Sequence, residues 1–367
     1  MKLTICGDVC PVKTDELFVK GDIEGLFHDV PAVLQDSDRV MVNLEAALTD
    51  SEYRITKKGP NVKGSPVCAK VLKEIGVTDC GISNNHIFDF GVEGALDTMK
   101  ALETYGLSYT GFGENAEAAR KNLVMEKDGQ RVAVIAVCEH EYCYALEDRM
   151  GTRGYDPYDT MEDIRKAKAE NDFVIVTYHG GKEQSIYPSP RLRKVCQAMV
   201  KNGADVVLCQ HSHCIGCYEE YQGAHILYGQ GNFHFANFRF VSVPEEELQW
   251  QTGLIVQLQI TDRIDIEFIP VKVVGKGIEL VKGDEKAEIL NTLAENSKNL
   301  LNDEWLTGWR NFCESKREQY TTVVRNAYVK GADEETNEWF NHYLYCEAHE
   351  DVMRELFKLS WETREKV

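Results

Sequence analysis

The chain has 367 residues, and its 60 acidic and 41 basic side chains give it a formal net charge of −19. This charge argues against broad binding of nucleic acid or of an anionic membrane, and an anionic substrate would need a local positive centre. The length predicts one large domain with an appendage. The sequence contains no signal-peptide pattern and no apolar stretch of about 18 to 20 residues, so we expect a cytoplasmic protein.

Apolar strands and amphipathic helices alternate over the first part of the chain. Strands are predicted at 2–6, 39–43, 77–82, 123–126, 131–137, 172–178, 205–213 and 225–228, and helices at 66–74, 91–105, 160–169 and 189–202. This alternation predicts an α/β fold with a mostly parallel sheet. Ligands bind outside the carboxyl ends of the strands in such sheets, so the residues at those ends are the first candidates for function.

The pattern changes after Gly253. Two strands, 254–260 and 264–274, are predicted to form a hairpin, and from about Asp284 the chain is helical, charged and aromatic. We expect a main domain over residues 1–275 and a helical C-terminal extension over residues 276–367 that packs on it. The extension contains Trp305, Trp309, Trp339 and Trp361. An alternative is that it joins the chain to a second copy in a homo-oligomer.

Polar side chains with metal-binding or catalytic chemistry follow the predicted strands. They are Asp8, Glu45, Asn85, His86, His179, His211, His213 and Asn232. Mixed oxygen and nitrogen donors suit Mn, Fe or Zn better than calcium or a thiolate-only structural zinc site. Two adjacent ions sharing a carboxylate could activate water and hold the oxygens of a displacement at phosphorus.

The pair His211 and His213 is the most distinctive of these features. Residues two apart on a strand point to the same face, so both imidazoles point the same way if strand geometry continues through Ser212. Taken alone the pair is weak, because single histidines are more often core or surface residues than ligands. The nearby Cys214 and Cys217 have no second cysteine pair at zinc-ribbon spacing, which disfavours a structural zinc knuckle.

Six short segments occur in order behind the predicted strands. They are Gly7-Asp8, Asn43-Leu44-Glu45, Asn84-Asn85-His86, His179-Gly180-Gly181-Lys182-Glu183, His211-Ser212-His213 and Gly231-Asn232-Phe233. Together they resemble the CapA-type poly-γ-glutamate capsule-biosynthesis proteins, a branch of the calcineurin-like metallophosphatase superfamily. The resemblance covers residues up to about 235. It implies a four-layer α/β/β/α sandwich, with the C-terminal helices outside the shared part.

The resemblance also implies a role for each position. One metal ion would be held by Asp8 and His213, a second by Asn85, His179 and His211, with Glu45 in the place of the usual bridging aspartate. His86 would be the general acid, and a metal-bound hydroxide would attack a phosphoester. The expected cofactors are divalent metal ions, Mn, Fe or Zn, one or two per chain.

Two positions depart from the superfamily pattern. Its first motif is Asp-x-His, but here the third residue is Cys10, which could supply a thiolate or simply pack. Glu45 is one methylene longer than the usual aspartate, which could alter the spacing between two ions and leave a single strongly bound one. Taken alone, Asp8 could also be a turn residue.

Further residues are candidates for contact with the substrate or with the metal ligands. They are Asn84, Glu183, Asn232, Lys58, Lys63 and His140. The lysines belong to the loop 56–66, together with Lys57, where they could bind phosphate or carboxylate groups. The alternative is that this loop is simply solvated, that Asn84 caps a helix and that Glu183 is exposed.

These features lead to a main functional hypothesis and to alternatives from other classes. The main one is a metal-dependent hydrolase of a small anionic substrate, either a phosphoester or a glutamyl compound, with no nucleic-acid or membrane partner. The alternative is a non-catalytic component that binds or assembles a γ-glutamyl polymer and keeps a residual metal site, since a fold does not fix a function. A cysteine-histidine hydrolase that uses Cys10 is a third reading.

Overall fold

The computed structural model describes residues 1–139, 142–235, 249–329 and 333–358. Its strands, in chain order, are β1 Lys2–Val9, β2 Arg39–Leu44, β3 Ala47–Leu48, β4 Lys63–Gly64, β5 Asp79–Gly81, β6 Ser108–Thr110, β7 Phe112–Gly113, β8 Leu123–Lys127, β9 Gln130–Cys138, β10 Gly151–Thr152, β11 Phe173–His179, β12 Val206–Gln210, β13 Tyr218–Tyr221, β14 Ala224–Leu227, β15 Asn232–His234, β16 Thr252–Ile260, β17 Ile264–Val274 and β18 Gly277–Leu280. Its helices are α1 Asp15–Lys20, α2 Ile23–Phe27, α3 Pro31–Leu34, α4 Cys68–Glu74, α5 Gly91–Thr104, α6 Ala116–Ala119, α7 Pro157–Glu170, α8 Pro190–Lys201, α9 Gly283–Lys298, α10 Glu304–Ser315, α11 Arg317–Ala327, α12 Glu334–Tyr345 and α13 Glu347–Leu356.

Most of these strands form two sheets. The first sheet has the order β18-β17-β16-β1-β2-β5-β6, with β15 also pairing with β1, and the second has the order β13-β14-β12-β11-β9-β8. The strands from β1 to β6 in the first sheet run parallel, as do β9, β11, β12 and β14 in the second. Parallel strands bury both faces, which explains why the segment Phe173–His179 reads as a continuous apolar run.

The core shows how the layers are stacked. Ile5 and Met41 of the first sheet share one apolar cluster with Val134 and Leu208 of the second, so the two sheets pack face to face. Helices α4 and α5 cover the outer face of the first sheet, and α7 and α8 cover the outer face of the second. This is the four-layer α/β/β/α sandwich that the resemblance implies, and the fold prediction is confirmed.

The C-terminal helices follow the last strand of the first sheet. That sheet extends past the predicted boundary at residue 275, because β18 pairs with β17 and α9 begins at Gly283. Trp305 joins the core under the second sheet, whereas Trp309, Tyr320 and Tyr343 form a separate cluster among α10 to α13. The predicted helical extension is therefore present, although the division into two domains stays a prediction. Trp361 lies outside the described residues.

Within the described ranges, no helix is both long enough and apolar enough to cross a membrane.

Candidate metal centre

The carboxyl ends of the parallel strands bring the predicted residues together. In the first sheet Asp8 pairs in register with Asn43 and Asn232, and Glu45 follows β2. In the second sheet His179 ends β11 and pairs with Gln210, the residue before His211. Because the two sheets face each other, these ends meet at one edge of the sandwich, as predicted for ligand sites in α/β folds.

Two sets of three residues place their ligand atoms within 4.8 Å of one another. The Asp8 group consists of Asp8, Glu45 and His213, and the His211 group consists of Glu45, His179 and His211; all of these residues are buried. Glu45 belongs to both groups, which is the position that the resemblance gives to a bridging carboxylate. The predicted metal ligands thus converge, while their roles stay predictions.

The Asp8 group is fixed by hydrogen bonds to neutral partners. Asp8 Oδ1 accepts a hydrogen bond from Asn43 Nδ2 at 2.7 Å, and Oδ2 accepts one from the His211 backbone at 3.1 Å. His213 Nδ1 lies 2.8 Å from Asn232 Oδ1 and 3.5 Å from Asp8 Oδ2. The Asn232 contact holds one ring nitrogen of His213, which leaves Nε2 for a ligand.

The His211 group gains a fourth donor from Asn85. Its Oδ1 lies 2.8 Å from His179 Nε2, and Glu45 Oε1 lies 3.3 Å from the same nitrogen. The rings of His179 and His211 meet edge to face with centroids 4.8 Å apart. Two imidazoles, a carboxylate and the amide oxygen beside His179 are therefore the candidate donors of this group.

Buried polar atoms without a hydrogen bond indicate which kind of group this arrangement fits. Neither carboxylate oxygen of Glu45, nor Nδ1 of His211, has a hydrogen bond within the parts of the chain that the structure covers. Burial raises the pKa of Glu45 well above its usual value, and the nearby Asp8 adds to the effect. Buried polar groups are nearly always satisfied, and a divalent cation would satisfy these. The donor set and its unmet atoms fit one or two divalent metal ions.

The surroundings shift the pKa values of the three histidines in opposite directions. Burial lowers the pKa of His179 to about 3 and that of His211 well below its usual value. Burial also acts to lower the pKa of His213, but the carboxylates of Glu45 and Asp8 outweigh it and raise the pKa. Neutral imidazole is the form that binds metals, so His179 and His211 are already in the ligand state.

The prediction that His211 and His213 continue a strand is wrong. Strand β12 ends at Gln210, and both histidines have positive φ, +80° and +51°. Left-handed backbone is costly for a residue with a Cβ and persists where the surroundings enforce it, often at functional sites. The loop is fixed by hydrogen bonds from His211 N to Asp8 and from Gln184 N to Ser212 O. The two rings reach Glu45 through this loop and not through strand alternation.

His86 is held by two residues that the sequence analysis did not single out for this role. Its Nδ1 lies 2.7 Å from Asp89 Oδ2 and 3.2 Å from Lys57 Nζ, and Lys57 also forms an ion pair with Asp89. Burial and the Lys57 ammonium lower the pKa of His86, and Asp89 opposes them only in part. The sequence could have indicated the contact with Asp89, because this residue lies three positions after His86, just behind the Asn84-Asn85-His86 motif.

Trp250 is a further neighbour of the centre that sequence reasoning missed. Its ring stacks on His213 with centroids 4.1 Å apart and an interplanar angle of 25°. Its carbonyl accepts a hydrogen bond from Asn232 Nδ2 at 3.0 Å. Nothing in the local pattern around Trp250 indicated this contact, because the residue is 37 positions beyond His213 in the chain.

Cys10 lies outside both ligand groups. Its thiol is buried in an apolar cluster with Ala46, Val62 and Phe235. Burial raises the pKa of Cys10 well above its usual value, and a metal needs the thiolate. Of the two readings of Cys10, packing is the one that the geometry supports.

Two of the three lysines in the loop 56–66 are engaged away from His86. Lys58 pairs with Glu338 of α12 at 2.9 Å, and Lys63 pairs with Glu52 at 2.8 Å. Lys57, which the sequence analysis treated like the other two lysines, is the one beside His86. The interpretation of Lys58 and Lys63 as substrate contacts stays a prediction.

Of the remaining candidates, Asn84 and Glu183 lie in different surroundings. Asn84 is buried and donates to Asn43 Oδ1 and to the Leu44 carbonyl, so it supports the strand ends and does not face a ligand. The carboxylate of Glu183 lies 3.4 Å from Lys182 Nζ, its side chain is 44% exposed, and its charge acts to raise the pKa of His211 and His213. Glu183 thus faces the centre from outside the two groups. His140 lies outside the described residues.

Comparison with known proteins places these residues in a family. Residues 2–237 match the sequence model of the family described as Bacterial capsule synthesis protein PGA_cap, and this range contains both ligand groups. The chain belongs to this family. The resemblance to CapA-type proteins is thereby confirmed, and the C-terminal helices α9–α13 lie beyond the matched part of the PGA_cap family.

Relatives of this PGA_cap member carry related names. The Capsule biosynthesis protein CapA of Bacillus anthracis is 30% identical over 245 residues, which cover 64% of this chain and 60% of the relative. The PGA biosynthesis protein CapA of Bacillus subtilis is 30% identical over 216 residues, 58% of this chain and 57% of the relative. The matches thus span under two thirds of the length of these relatives.

Solved structures give weaker matches. A hypothetical protein from Thermus thermophilus aligns with 75% of this chain and 100% of its own, at TM-score 0.46 and 13% identity. A putative 5'-nucleotidase from Staphylococcus aureus aligns with 80% of this chain and 58% of its own, at TM-score 0.45 and 13% identity. Both TM-scores are below 0.5, so neither match adds to what the order of strands in the two sheets shows.

Proposed function

We propose that this PGA_cap member is a metal-dependent hydrolase of phosphoesters. The observation that carries the proposal is Glu45, a buried carboxylate shared by two ligand groups, with no hydrogen bond to either oxygen in the described chain. Such a group is costly unless a cation balances it. The Asp8 group and the His211 group, with Asn85, would hold one or two divalent ions of Mn, Fe or Zn type.

The chemistry follows from the residues that surround these ligands. Bound divalent ions would supply an activated water and would stabilise the negative charge that develops on phosphoryl oxygens. His86 would hold or transfer a proton at Nε2 toward the leaving group, because Asp89 occupies its Nδ1. Asp89 and Lys57 would keep the ring oriented during that step, as positioning residues.

The expected substrate is a small anion. The buried ammonium of Lys57 lies beside His86, and Lys182, whose side chain is only 11% exposed, follows the His179 turn. Each of these lysines is paired with a carboxylate, Lys57 with Asp89 and Lys182 with Glu183, so in a chain with a net charge of −19 the bound divalent ions would supply most of the attraction for an anionic substrate. A phosphoester is the first candidate, and a glutamyl compound is the second.

A second candidate function is favoured by the names of the relatives. Both Bacillus proteins are named for capsule or PGA biosynthesis, and neither name states a hydrolytic activity. In this reading the chain binds or assembles a γ-glutamyl polymer and keeps a residual metal site. A cytoplasmic location and a homo-oligomer formed through the C-terminal helices also stay predictions.

The test combines metal content with turnover. The purified protein is measured for bound Mn, Fe and Zn and then assayed on a phosphomonoester, a phosphodiester and a γ-glutamyl peptide. We expect bound metal, turnover of a phosphoester, and a loss of about 10²- to 10⁴-fold in His86→Ala with metal retained. His225→Ala is the matched control, since His225 bonds to Tyr218 outside the centre.

The outcomes separate the two candidates. Metal without turnover of any substrate would favour the assembly role. Protein that binds no metal and has no activity would refute the hydrolase proposal altogether.

A further inference from the structure

The turn that follows the metal-ligand candidate His179 is held at both ends by one buried residue, Glu139. The Glu139 backbone donates a hydrogen bond to the His179 carbonyl at 3.0 Å, and its Oε2 accepts one from the Gly181 backbone at 2.8 Å. Glu139 is only 2% exposed and directly follows β9, the strand beside β11. Its position therefore fixes the backbone from which the His179 side chain extends.

The close approach of Glu139 explains the two glycines of this turn. A Cβ at position 180 would lie 2.6 Å from the carboxyl carbon of Glu139, so only glycine fits there. Gly181 has a φ of +94°, which a residue with a Cβ rarely adopts. The sequence His179-Gly180-Gly181 is thus shaped around the Glu139 carboxylate.

The other oxygen of Glu139 connects this turn to the C-terminal helices. Oε1 accepts hydrogen bonds from Arg191 Nη2 at 2.5 Å and from the Tyr178 hydroxyl at 2.7 Å. Burial acts to raise the pKa of Glu139, but the Arg191 guanidinium outweighs it and lowers the pKa. Arg191 Nε in turn donates to Asp351 of α13 at 2.9 Å, and Ser189 Oγ donates to the same carboxylate at 2.5 Å. A chain of charged contacts, buried except for the 27% exposed Arg191, therefore runs from α13 to the turn after His179.

The C-terminal helices also contact the lysine-containing loop beside His86. Glu338 of α12 forms an ion pair with Lys58 at 2.9 Å, and the Lys58 ammonium lies 5.4 Å from the Trp339 ring centroid. The neighbouring Lys57 is the residue whose Nζ lies 3.2 Å from His86 Nδ1. The helices α12 and α13 thus reach the His86 side and the His179 side together.

We propose that Asp351 of α13 positions the His179–Gly181 turn through Arg191 and Glu139, so that the C-terminal helices are a working part of the metal centre. Partners that orient a metal ligand typically change metal affinity when they are altered. The inference rests on the proposed metal centre but not on any reaction at it. It gives the C-terminal helices, which lie beyond the part of the chain that matches the family model, a role in the metal centre of their own chain.

The ion pair of Arg193 and Glu219 is a matched control for this arrangement, because Arg193 lies on α8 as Arg191 does. The side chain of Glu219 is only 9% exposed, and it accepts hydrogen bonds from Arg193 Nη2 at 2.8 Å and from the Tyr228 hydroxyl at 2.5 Å. The two clusters therefore have the same composition, a tyrosine, a glutamate and an arginine of α8. Within the described residues, none of the hydrogen bonds that Glu219 accepts comes from the His179–Gly181 turn.

The experiment compares three full-length variants, Glu139→Gln, Asp351→Asn and Glu219→Gln, with the wild type. Binding of Mn²⁺ and of Zn²⁺ is measured by titration calorimetry at a temperature at which circular dichroism shows each protein to be folded. We expect binding about 10-fold weaker in Glu139→Gln and a smaller loss in Asp351→Asn. Glu219→Gln should bind metal as the wild type does, although it loses a largely buried ion pair of the same kind.

Each other outcome counts against the inference in a distinguishable way. Wild-type metal binding that is unchanged in Glu139→Gln and Asp351→Asn overturns the positioning role and leaves the proposed function intact. Equal losses in all three variants show a general effect of stability and overturn it as well. A wild type that binds no metal removes the metal centre and the inference together. If Glu139→Gln does not fold, the comparison of Asp351→Asn with Glu219→Gln decides.

Discussion

The two ligand groups share Glu45 but are built differently. The Asp8 group has two carboxylates and one imidazole, and hydrogen bonds to Asn43 and Asn232 already fix its members. The His211 group has one carboxylate, two imidazoles and the nearby amide oxygen of Asn85. The carboxylates of the first group raise the pKa of His213, whereas burial lowers the pKa of His211.

This difference predicts unequal affinity for metal. Four donors with neutral imidazoles match the coordination number that zinc-type ions prefer, whereas three donors leave a position open. Cys10 does not add a fourth donor to the Asp8 group, because its thiol packs in an apolar cluster with Ala46, Val62 and Phe235. We expect the His211 group to hold the tighter ion and the Asp8 group to hold the weaker one.

The largest expected effect is that of Glu45→Gln, because it removes the negative charge that both groups share. We expect both ions to be lost after dialysis, with affinity reduced by more than about 100-fold, beyond the range for residues that only orient ligands. Metal content by mass spectrometry checks this. Glu219→Gln, which removes a largely buried carboxylate charge outside both groups, is the control and should keep its metal. If Glu45→Gln contained as much metal as the wild type, Glu45 would not be a ligand that the two groups share.

A comparison of His211→Ala with His213→Ala tests the predicted inequality directly. His213→Ala should retain one ion per chain with almost unchanged affinity, because the four donors of the other site remain. His211→Ala should lose the tighter ion and keep only weak binding. Stoichiometry and affinity from calorimetry decide the matter, and equal losses in the two variants would mean that the groups act as a single site.

Much of the fold and of the ligand set could be predicted from the sequence. The candidates for metal ligation directly follow apolar strands. Parallel strands end at one edge of a sheet, so this local pattern predicts that residues far apart in the sequence lie close together in the fold. Asp8, Glu45, His179 and His211 converge for this reason. The fold class followed from the same pattern, because strands of this kind must be buried on both faces.

The parts that could not be predicted depend on contacts between distant segments. Asp351 is 160 residues from Arg191, and no local periodicity encodes that pairing. The backbone of His211 and His213 is set by the Asp8 carboxylate and the neighbouring loop, so the expected strand alternation failed there. In the sequence Lys57 is one of three equivalent loop lysines, and only the fold shows that it lies beside His86.

The two ligand groups also differ in the residues that pack beside them. This difference predicts how the stability of the protein depends on pH. Beside the Asp8 group, His234 of β15 packs against the rings of Phe18 and Phe27, with both centroid distances 5.2 Å. Neither of its ring nitrogens has a hydrogen-bond partner in the described part of the chain. Burial lowers the pKa of His234 to about 4. The turn behind the His211 group is instead held by the ion pair of Glu139 and Arg191.

The sign of the effect follows from proton linkage. The unfolded chain takes up a proton on this histidine below a pH of about 6.5, and the folded protein does so only near pH 4. His234 therefore contributes its full share of stability above about pH 6.5 and loses roughly 3 kcal/mol of it as the pH drops toward 4. Urea unfolding of chelator-treated protein across this range measures the change. His234→Leu should make the slope shallower without removing it, because burial also lowers the pKa values of His179 and His211, and identical pH slopes in both proteins would contradict the assignment.

The smallest expected effect is that of Cys10→Ala, and it tests why the Asp8 group is the poorer one. If Cys10 only packs, its truncation removes a few apolar contacts and costs about 1 kcal/mol in the free energy of unfolding, with metal content unchanged. If Cys10 instead supplies a thiolate, the variant loses the weaker ion first, and the two groups would then have four donors each. Binding would require the thiol to give up its proton against the burial that raises its pKa. Calorimetric titration of Cys10→Ala beside the wild type, at matched pH, separates the two cases, because only a ligand changes the number of ions bound.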